Sequence, residues 1–369
     1  MSKRTSSAYW EEKRGRWRID VQKNGIRRTF YSSTPGRQGK RECHEKADAW
    51  LDEGITCTRR KVKDMAEDYM NDLKATTSQS HWRQYDNYIR NYIVPGIGNV
   101  HMEDLSEQHL QRVINKAYEK GLADKTLKNI RACEMNFLKF CRKAKTTTLF
   151  CEDLRIPKGA QKPEKTILQP HDLRILFSED TVTCRGKSVP ELYIHAFRFA
   201  VVTGLRPGEV VGLKHSDISG GIVHISRAVN YYGEITPGKN DNARRSFELH
   251  PLAKRILLDQ AAMLSGMGIM SAYIFPSASG EITRQQTYAK HLRRFCEEHG
   301  ITAATPYELR HTFVSVAKSM DTGLLKSVVG HSADMDTLGI YGHELDGDMT
   351  KAANEICTLF SGILGSHGQ

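Results

Sequence analysis

The segment between residues 156 and 166 constrains the fold of this chain most. Its sequence, IPKGAQKPEKT, is rich in Lys, Pro and Gly and poor in apolar residues, which is typical of a linker. It interrupts a chain of 369 residues, which is longer than one ordinary hydrophobic core supports. The sequence therefore predicts a multidomain protein with separate folding units on either side of this linker.

The first 55 residues predict a small β-rich module. Apolar and polar residues alternate across residues 15–34, and Asn24-Gly25 within this run is a strong signal for a two-residue hairpin turn. A third strand begins near Tyr9, and residues 39–53 have the apolar spacing of a helix. The prediction is a three-stranded sheet followed by one helix.

Positive charge is concentrated in this module. The chain carries 54 Lys and Arg against 43 Asp and Glu, a net charge of +11, and residues 1–41 hold twelve basic against three acidic side chains. Such a concentration is typical of a surface that binds a polyanion, either nucleic acid or an anionic membrane. A solubilising arm is the alternative at this point.

Residues 58–155 predict a four-helix unit. An apolar stripe follows residues 62–73, and a second one ends at the breaker VPGIG, residues 94–98. Two further helices are predicted at Ser106–Lys120 and Asp124–Lys143. The unit has no catalytic motif, and both a DNA-clamping domain and a dimerisation bundle fit the pattern.

The third unit, residues 167–347, is predicted to be mainly helical with a β insert. Three short strands are expected near residues 222–226, 229–235 and 246–250. Residues 348–360 have helical apolar spacing within a C-terminal segment, 348–369. The fold class predicted for the chain is mainly α with small β elements.

Several classes of protein are excluded by what the sequence lacks. No apolar run reaches the length of about 18 residues that a membrane span needs, and the basic N-terminus has no apolar stretch of a secretory signal. The eight cysteines are scattered without CxxC pairs, and there is no clustered set of acidic residues. We expect reduced thiols in a cytosol, no metal site and no cofactor.

Four short motifs in the third unit carry the candidate chemistry. In TGLRPGEVVGL, residues 203–213, Gly204 ends a helix and Pro207 begins the next, so Arg206 lies at a helix junction. Glu209 follows within one turn and can brace the guanidinium, which makes Arg206 a preformed fork for a phosphate.

The other three motifs follow in order along the chain. TPYELRHTF, residues 305–313, begins with a capping box, and it places Tyr307 and Arg310 three residues apart on one helix face. Gly330-His331-Ser332 comes next, and Tyr341 lies ten residues beyond His331 within TLGIYGH. Each motif alone is more often merely structural.

Together, in this order and spacing, the four motifs resemble the tyrosine recombinase (phage integrase) family. The resemblance covers roughly residues 165–345, which it identifies as a mixed α/β catalytic domain. The two units before it resemble the arm-binding and core-binding domains of integrases from temperate phages and conjugative transposons. The resemblance implies an enzyme that cleaves and rejoins DNA through a 3′-phosphotyrosine and a Holliday junction, without metal or ATP.

The resemblance also implies a role for each motif residue. Arg206 and Arg310 would hold the scissile phosphate, His331 would donate a hydrogen bond to it, and Tyr341 would be the nucleophile. Glu209 would brace Arg206 without contacting DNA. His311 lies beside Arg310 but on another helix face, so we do not expect it to take part.

Two positions are less direct. Lys239 matches the hairpin lysine that the family uses as general acid for the leaving 5′-oxygen, with Lys214, Arg244 and Arg245 as nearby competitors. We favour Lys239 because it follows a Pro-Gly turn. The family usually has His where this chain has Tyr307, whose phenol has a reference pKa near 10 against 6.5 for imidazole. We therefore expect Tyr307 to donate a hydrogen bond rather than to act as a strong base.

The resemblance implies partners as well. These are double-stranded DNA with core and arm attachment sites, a homo-tetramer on that DNA, and an excisionase or a host DNA-bending protein, in the bacterial cytoplasm and on the nucleoid. Seven arginines are expected to contact DNA: Arg14, Arg16, Arg18, Arg27, Arg28, Arg244 and Arg245. The C-terminal segment is expected to dock in trans on a neighbouring subunit, with packing on its own domain as the alternative.

Two other functions fit parts of the pattern. A type IB topoisomerase-like enzyme shares the tyrosine and arginine chemistry but acts on one duplex as a monomer. A DNA-binding regulator with an inactive catalytic fold is the other, and the complete set of motif residues argues against it.

Overall fold

The computed structural model describes residues 6–23, 26–52, 60–151, 153–162, 165–237, 244–330 and 347–365. The chain divides into two compact units, residues 1–163 and 164–369.

The first unit begins with the predicted sheet and helix. These elements are β1 (Tyr9–Glu11), β2 (Arg16–Lys23), β3 (Ile26–Ser32) and α1 (Gly36–Asp52). The strands are antiparallel in the order β1-β2-β3. Ile19 and Val21 face α1 and pack with its Cys43 and Ala47, as the alternating pattern predicts. The predicted turn at Asn24-Gly25 lies outside the described residues.

The helical part of this unit follows the predicted apolar stripes. Its helices are α2 (Val62–Thr76), α3 (Gln79–Tyr88), α4 (Val94–Ile97), α5 (Glu107–Glu119) and α6 (Asp124–Lys143). The second helix ends within the predicted breaker rather than before it. A π-helical turn, Ile89–Ile93, leads into α4, which ends at Ile97, so the helix extends four residues into the predicted breaker.

The first half of the predicted linker packs against these helices. Ala160 is buried with the helical core, and Ile156 is partly buried beside it. The Asp124 N–H donates a hydrogen bond of 2.8 Å to the Gln161 carbonyl oxygen. A polar segment with one buried alanine therefore has the composition of a linker while it covers a helix bundle.

The second unit is helical with small sheets. Its helices are α7 (Pro170–Ser178), α8 (Ile194–Thr203), α9 (Pro207–Val211), α10 (Pro251–Gly266), α11 (Gln285–Glu298), α12 (Pro306–Val316), α13 (Thr322–Val329) and α14 (Asp348–Leu364). The core centres on α8, all of whose residues are buried.

The β insert differs in part from the prediction. The strands of this unit are β4 (Thr181–Cys184), β5 (Lys187–Pro190), β6 (Ile218–Ser219), β7 (Ile222–Ile225), β8 (Ala228–Val229), β9 (Ile235–Thr236) and β10 (Arg245–Glu248). The order β10-β7-β6 is antiparallel. The strand predicted over residues 229–235 is instead the β8–β9 hairpin, because the chain turns at Asn230, whose side chain accepts two backbone hydrogen bonds.

The C-terminal helix α14 packs on its own unit, which differs from the docking in trans expected from the sequence. Ala352, Ile356 and Phe360 are buried in the core of the second unit. The Phe360 ring stacks on Phe313 with a centroid distance of 6.3 Å. The apolar face of α14 is therefore covered within one chain.

Candidate active site

Arg206 is positioned by the junction between α8 and α9. Gly204 ends α8 with φ of +65°, and a Cβ atom at this position would clash with the Phe313 ring. Arg206 is the N-cap of α9, and its backbone N–H donates 2.9 Å to Glu209 Oε2. The predicted helix junction is confirmed.

Arg310 reaches the same junction from α12. Its Nη1 donates to the Gly204 carbonyl oxygen at 2.8 Å, and its Nη2 donates to the Val329 carbonyl oxygen at 2.9 Å. Arg310 is 6% exposed, whereas the Arg206 side chain is 29% exposed. The structure thus brings the two predicted arginines to one site, and Arg206 is the more accessible of the two.

Glu209 lies beneath this site and binds two arginines. Its side chain is 2% exposed, and its Oε1 accepts from Arg206 Nη1 at 2.8 Å. Arg245 donates to both of its carboxylate oxygens, Nη1 to Oε1 at 3.1 Å and Nη2 to Oε2 at 2.9 Å. The predicted contact between Glu209 and Arg206 is confirmed.

The position of Arg245 corrects the prediction for that residue. It was expected at the DNA backbone, and it also competed with Lys239, but its side chain is only 7% exposed and pairs with Glu209. In β10 the side chains alternate, so Arg245 shares the inward face with the buried Phe247 while Arg244 is exposed. That alternation was the available signal, and the predicted strand began one residue too late to include it.

Burial and the neighbouring charges shift the pKa values of Glu209 and Arg310. Burial alone would raise the pKa of Glu209, but hydrogen bonds and charge from Arg245, and then from Arg206, hold it below its ordinary value. Burial, together with the neighbouring charge of Arg206, lowers the pKa of Arg310 to about 10. Glu209 therefore stays ionised and Arg310 stays protonated at neutral pH.

The arginine pair can bind an anion. A guanidinium has five N–H donors, and the hydrogen bonds formed within the described part of the chain use two on each of Arg206 and Arg310. The remaining donors suit a phosphate, which binds guanidinium groups through charge-assisted hydrogen bonds.

Tyr307 lies one helical turn before Arg310 and is 54% exposed. Its phenol is thus open to a ligand. His311 is partly buried, and burial with the nearby charges of Lys165 and Arg310 lowers its pKa. Lys214 extends over the Tyr273 ring, 5.2 Å from its centre. Lys239, His331 and Tyr341 lie outside the described residues.

Comparison with known proteins gives the family. Residues 167–347 match the model described as "Phage integrase family", and residues 61–118 match "Phage integrase, N-terminal SAM-like domain". The chain belongs to the phage integrase family. It is a tyrosine-type, site-specific DNA recombinase.

Two curated relatives and two solved structures agree. A "Tyrosine recombinase XerC-like" of Caldanaerobacter subterraneus subsp. tengcongensis is 22% identical over 91% of this chain and 92% of its own. The "ICEBs1 integrase" of Bacillus subtilis is 23% identical over 44% and 48%. The Tn1549 transposon integrase in complex with a circular intermediate DNA matches 80% of this chain and 99% of its own, with a TM-score of 0.64 at 18% identity. A lambda integrase tetramer bound to a Holliday junction matches 89% and 96%, with a TM-score of 0.58 at 18% identity. The topoisomerase alternative is not favoured.

The arginines of the recombinase's N-terminal sheet divide between its two faces. Arg16 stacks on Tyr31 at 3.8 Å and pairs with Glu11, and Arg18 and Arg27 both pair with Asp20. These side chains share the face away from α1. The pairing register places Arg28 opposite Val21, on the face that packs against α1, near Trp50. Arg14 lies in the turn before β2 and is 64% exposed.

Two features of the described residues bear on other functions. They contain no group of three or more His, Cys, Asp or Glu side chains arranged to hold a metal ion. Among the helices that they form, none has the length and apolar character needed to cross a membrane.

Proposed function

We propose that this recombinase integrates and excises a mobile element, with Tyr341 as its nucleophile. The observation that carries the proposal is the convergence of Arg206 and Arg310 on one junction above Glu209, in a chain whose Tyr341 follows at the family's spacing. Two fixed guanidiniums are what a phosphodiester needs when no metal neutralises it.

The reaction is a transesterification, in which one phosphate ester bond replaces another. The Tyr341 phenol gives up its proton to solvent, its oxygen forms a bond to phosphorus, the bond from phosphorus to the 5′-oxygen breaks, and a 3′-phosphotyrosine remains. Lys239 supplies the proton that the leaving 5′-oxygen takes up. A free 5′-hydroxyl from another strand reverses the step, so ligation needs no ATP.

The remaining groups stabilise the transition state. Arg206 and Arg310 offset the charge that develops on the equatorial oxygens, and His331 donates a hydrogen bond to one of them. Tyr307 is exposed beside Arg310 and donates a further hydrogen bond. With a phenol at this position, we assign no strong general base to it.

The assembly we propose follows the relatives. Four copies bind core sites on double-stranded DNA, the N-terminal sheet binds separate arm sites, and the strands exchange in pairs through a Holliday junction. An excisionase or a host DNA-bending protein is the accessory partner. The place of action is the bacterial cytoplasm, on the nucleoid. The solved relatives on circular-intermediate and Holliday-junction DNA support the binding of DNA and the tetramer on a Holliday junction.

Recombination between two differently marked duplexes tests the function. The duplexes carry the two junctions of the element that encodes the chain, and the reaction contains excess EDTA. We expect two recombinant duplexes, each joining one flank of the first duplex to the opposite flank of the second. Relaxation of a supercoiled plasmid without exchange would instead support the topoisomerase alternative, and an absolute need for a divalent metal would refute the mechanism.

A further inference from the structure

Three arginines converge on the carboxyl end of α13. Arg245 Nε donates to the Val328 carbonyl oxygen at 2.6 Å, Arg310 Nη2 to that of Val329 at 2.9 Å, and Arg206 Nη2 to that of Gly330 at 2.8 Å. Three consecutive carbonyls are thus each bound by a different guanidinium. The last carbonyls of a helix lack intrahelical partners and carry the negative end of the helix dipole, so they favour cations.

The three arginines are not equivalent. Arg206 is the most exposed, and its guanidinium binds only one oxygen of Glu209. Arg245 is buried, and it joins both oxygens of Glu209 to the Val328 carbonyl. Arg245 therefore donates its hydrogen bonds to groups within the protein.

We propose that Arg245 is a positioning residue for the active site of the recombinase. It ties Glu209 to the end of α13 and so sets the position of the Arg206 guanidinium. The proposal rests on the proposed function, because it assumes that Arg206 binds the scissile phosphate. It adds a residue that acts through Arg206 and does not itself touch DNA.

Two physical consequences follow from this arrangement. Arg245 binds both carboxylate oxygens of Glu209 and so balances most of the negative charge of that side chain. The positive charge of Arg206 therefore stays available to the phosphate. Because Arg245 also binds Val328, the strand β10, the helix α9 and the end of α13 are joined at one buried point. His331 follows that helix end directly in the sequence.

Arg198 provides a matched control. Its side chain is as buried as that of Arg245, at 8% exposed, and it binds the carbonyls of Leu176 and Glu179 and the carboxylate of Asp180. It belongs to the same unit but contacts none of the three arginines among its described bonds. Replacing it removes a comparable buried guanidinium away from the site.

The test compares Arg245→Met, Arg245→Lys and Arg198→Met in the full chain. On nicked duplexes from the element's junctions, we expect Arg245→Met to lower the single-turnover cleavage rate at saturating DNA by about 10–100-fold, as for groups that orient a reacting residue. The dissociation constant and its salt dependence should not change. Arg245→Lys, which keeps a charge opposite Glu209, should recover part of the rate, and Arg198→Met should keep the wild-type rate.

A second measurement reads the position of Arg206 without DNA cleavage. In protein labelled with ¹⁵N-arginine, the side-chain N–H signal of Arg206, assigned from its loss in Arg206→Lys, should shift or broaden in Arg245→Met and stay unchanged in Arg198→Met. An unchanged Arg206 signal would overturn the proposal. So would wild-type cleavage by Arg245→Met, or equal rate losses in both methionine variants. If the wild-type chain fails to cleave while the Arg206 signal responds, it is the proposed function that fails.

Discussion

At the scale of single residues, Arg206 and Arg310 differ in exposure, and we propose that both bind the scissile phosphate. Among the described residues, each donates two side-chain hydrogen bonds to the protein, and its other N–H groups can bind a ligand. We expect Arg206→Ala and Arg310→Ala each to lower cleavage of core-site DNA by at least about 10²–10³-fold, the usual cost of one lost transition-state donor. Single-turnover assays at saturating DNA measure this, and a loss confined to DNA affinity would contradict it.

Glu134 is a residue that no motif singled out. It is fully buried in α6, and neither of its carboxylate oxygens has a hydrogen-bond partner among the described residues. Burial raises its pKa well above the ordinary value. The folded unit therefore holds a proton that the unfolded chain releases above about pH 4.3, so this group destabilises the fold progressively as the pH rises above that value.

We predict that Glu134→Leu raises the free energy of unfolding by about 1–3 kcal/mol at neutral pH, because it removes an unpaired buried polar group. The free energy of opening, obtained from hydrogen exchange of the α6 amides between about pH 5 and 8, should also depend less on pH than in the wild-type chain. The exposed Glu119→Leu is the control. A destabilised Glu134→Leu would mean that this carboxyl has a partner.

At the scale of elements, the N-terminal sheet has one face against α1 and one face open. Arg27 lies on the open face with Arg16 and Arg18, and Arg28 lies on the other. We expect Arg27→Ala to weaken binding to arm-site DNA and to reduce the salt slope by about 1, while Arg28→Ala leaves both nearly unchanged. Titrations at several salt concentrations compare the two neighbours. Equal losses would show that both faces contact DNA.

The helix α14 can pack either on its own unit or on a neighbouring subunit. Its Phe360 is fully buried against Phe313 in its own unit. Phe360→Ala should therefore cost about 3–5 kcal/mol of stability in the isolated chain, while Asn354→Ala on the exposed side costs little. Denaturant unfolding of the DNA-free protein gives both values. A negligible effect of Phe360→Ala would mean that α14 does not occupy this core in solution and would support docking in trans.

At the scale of the whole molecule, the sequence predicts elements better than contacts. Local hydrophobic periodicity marks the helices α2, α5 and α6 and the strand β2 in the sequence, so their bounds could be predicted closely. The junction at Gly204 and Arg206 could be predicted because glycine and proline mark helix ends.

Contacts between distant segments could not be predicted in this way. Arg245 pairs with Glu209, 36 residues away, and reaches Val328, 83 residues away. Strand alternation could have placed Arg244 and Arg245 on opposite faces, but only tertiary structure shows that the inward-facing Arg245 meets a buried carboxylate. The packing of α14 on its own unit is likewise a choice that periodicity leaves open.

The most direct test of the account is covalent trapping. The full chain is incubated with nicked duplexes from the element's junctions, and the protein–DNA adduct is digested and mapped by mass spectrometry. We predict a 3′-phosphate ester on Tyr341, formed in excess chelator and lost in Tyr341→Phe, which still binds the DNA. An adduct on another residue, or cleavage that persists in Tyr341→Phe, would contradict it.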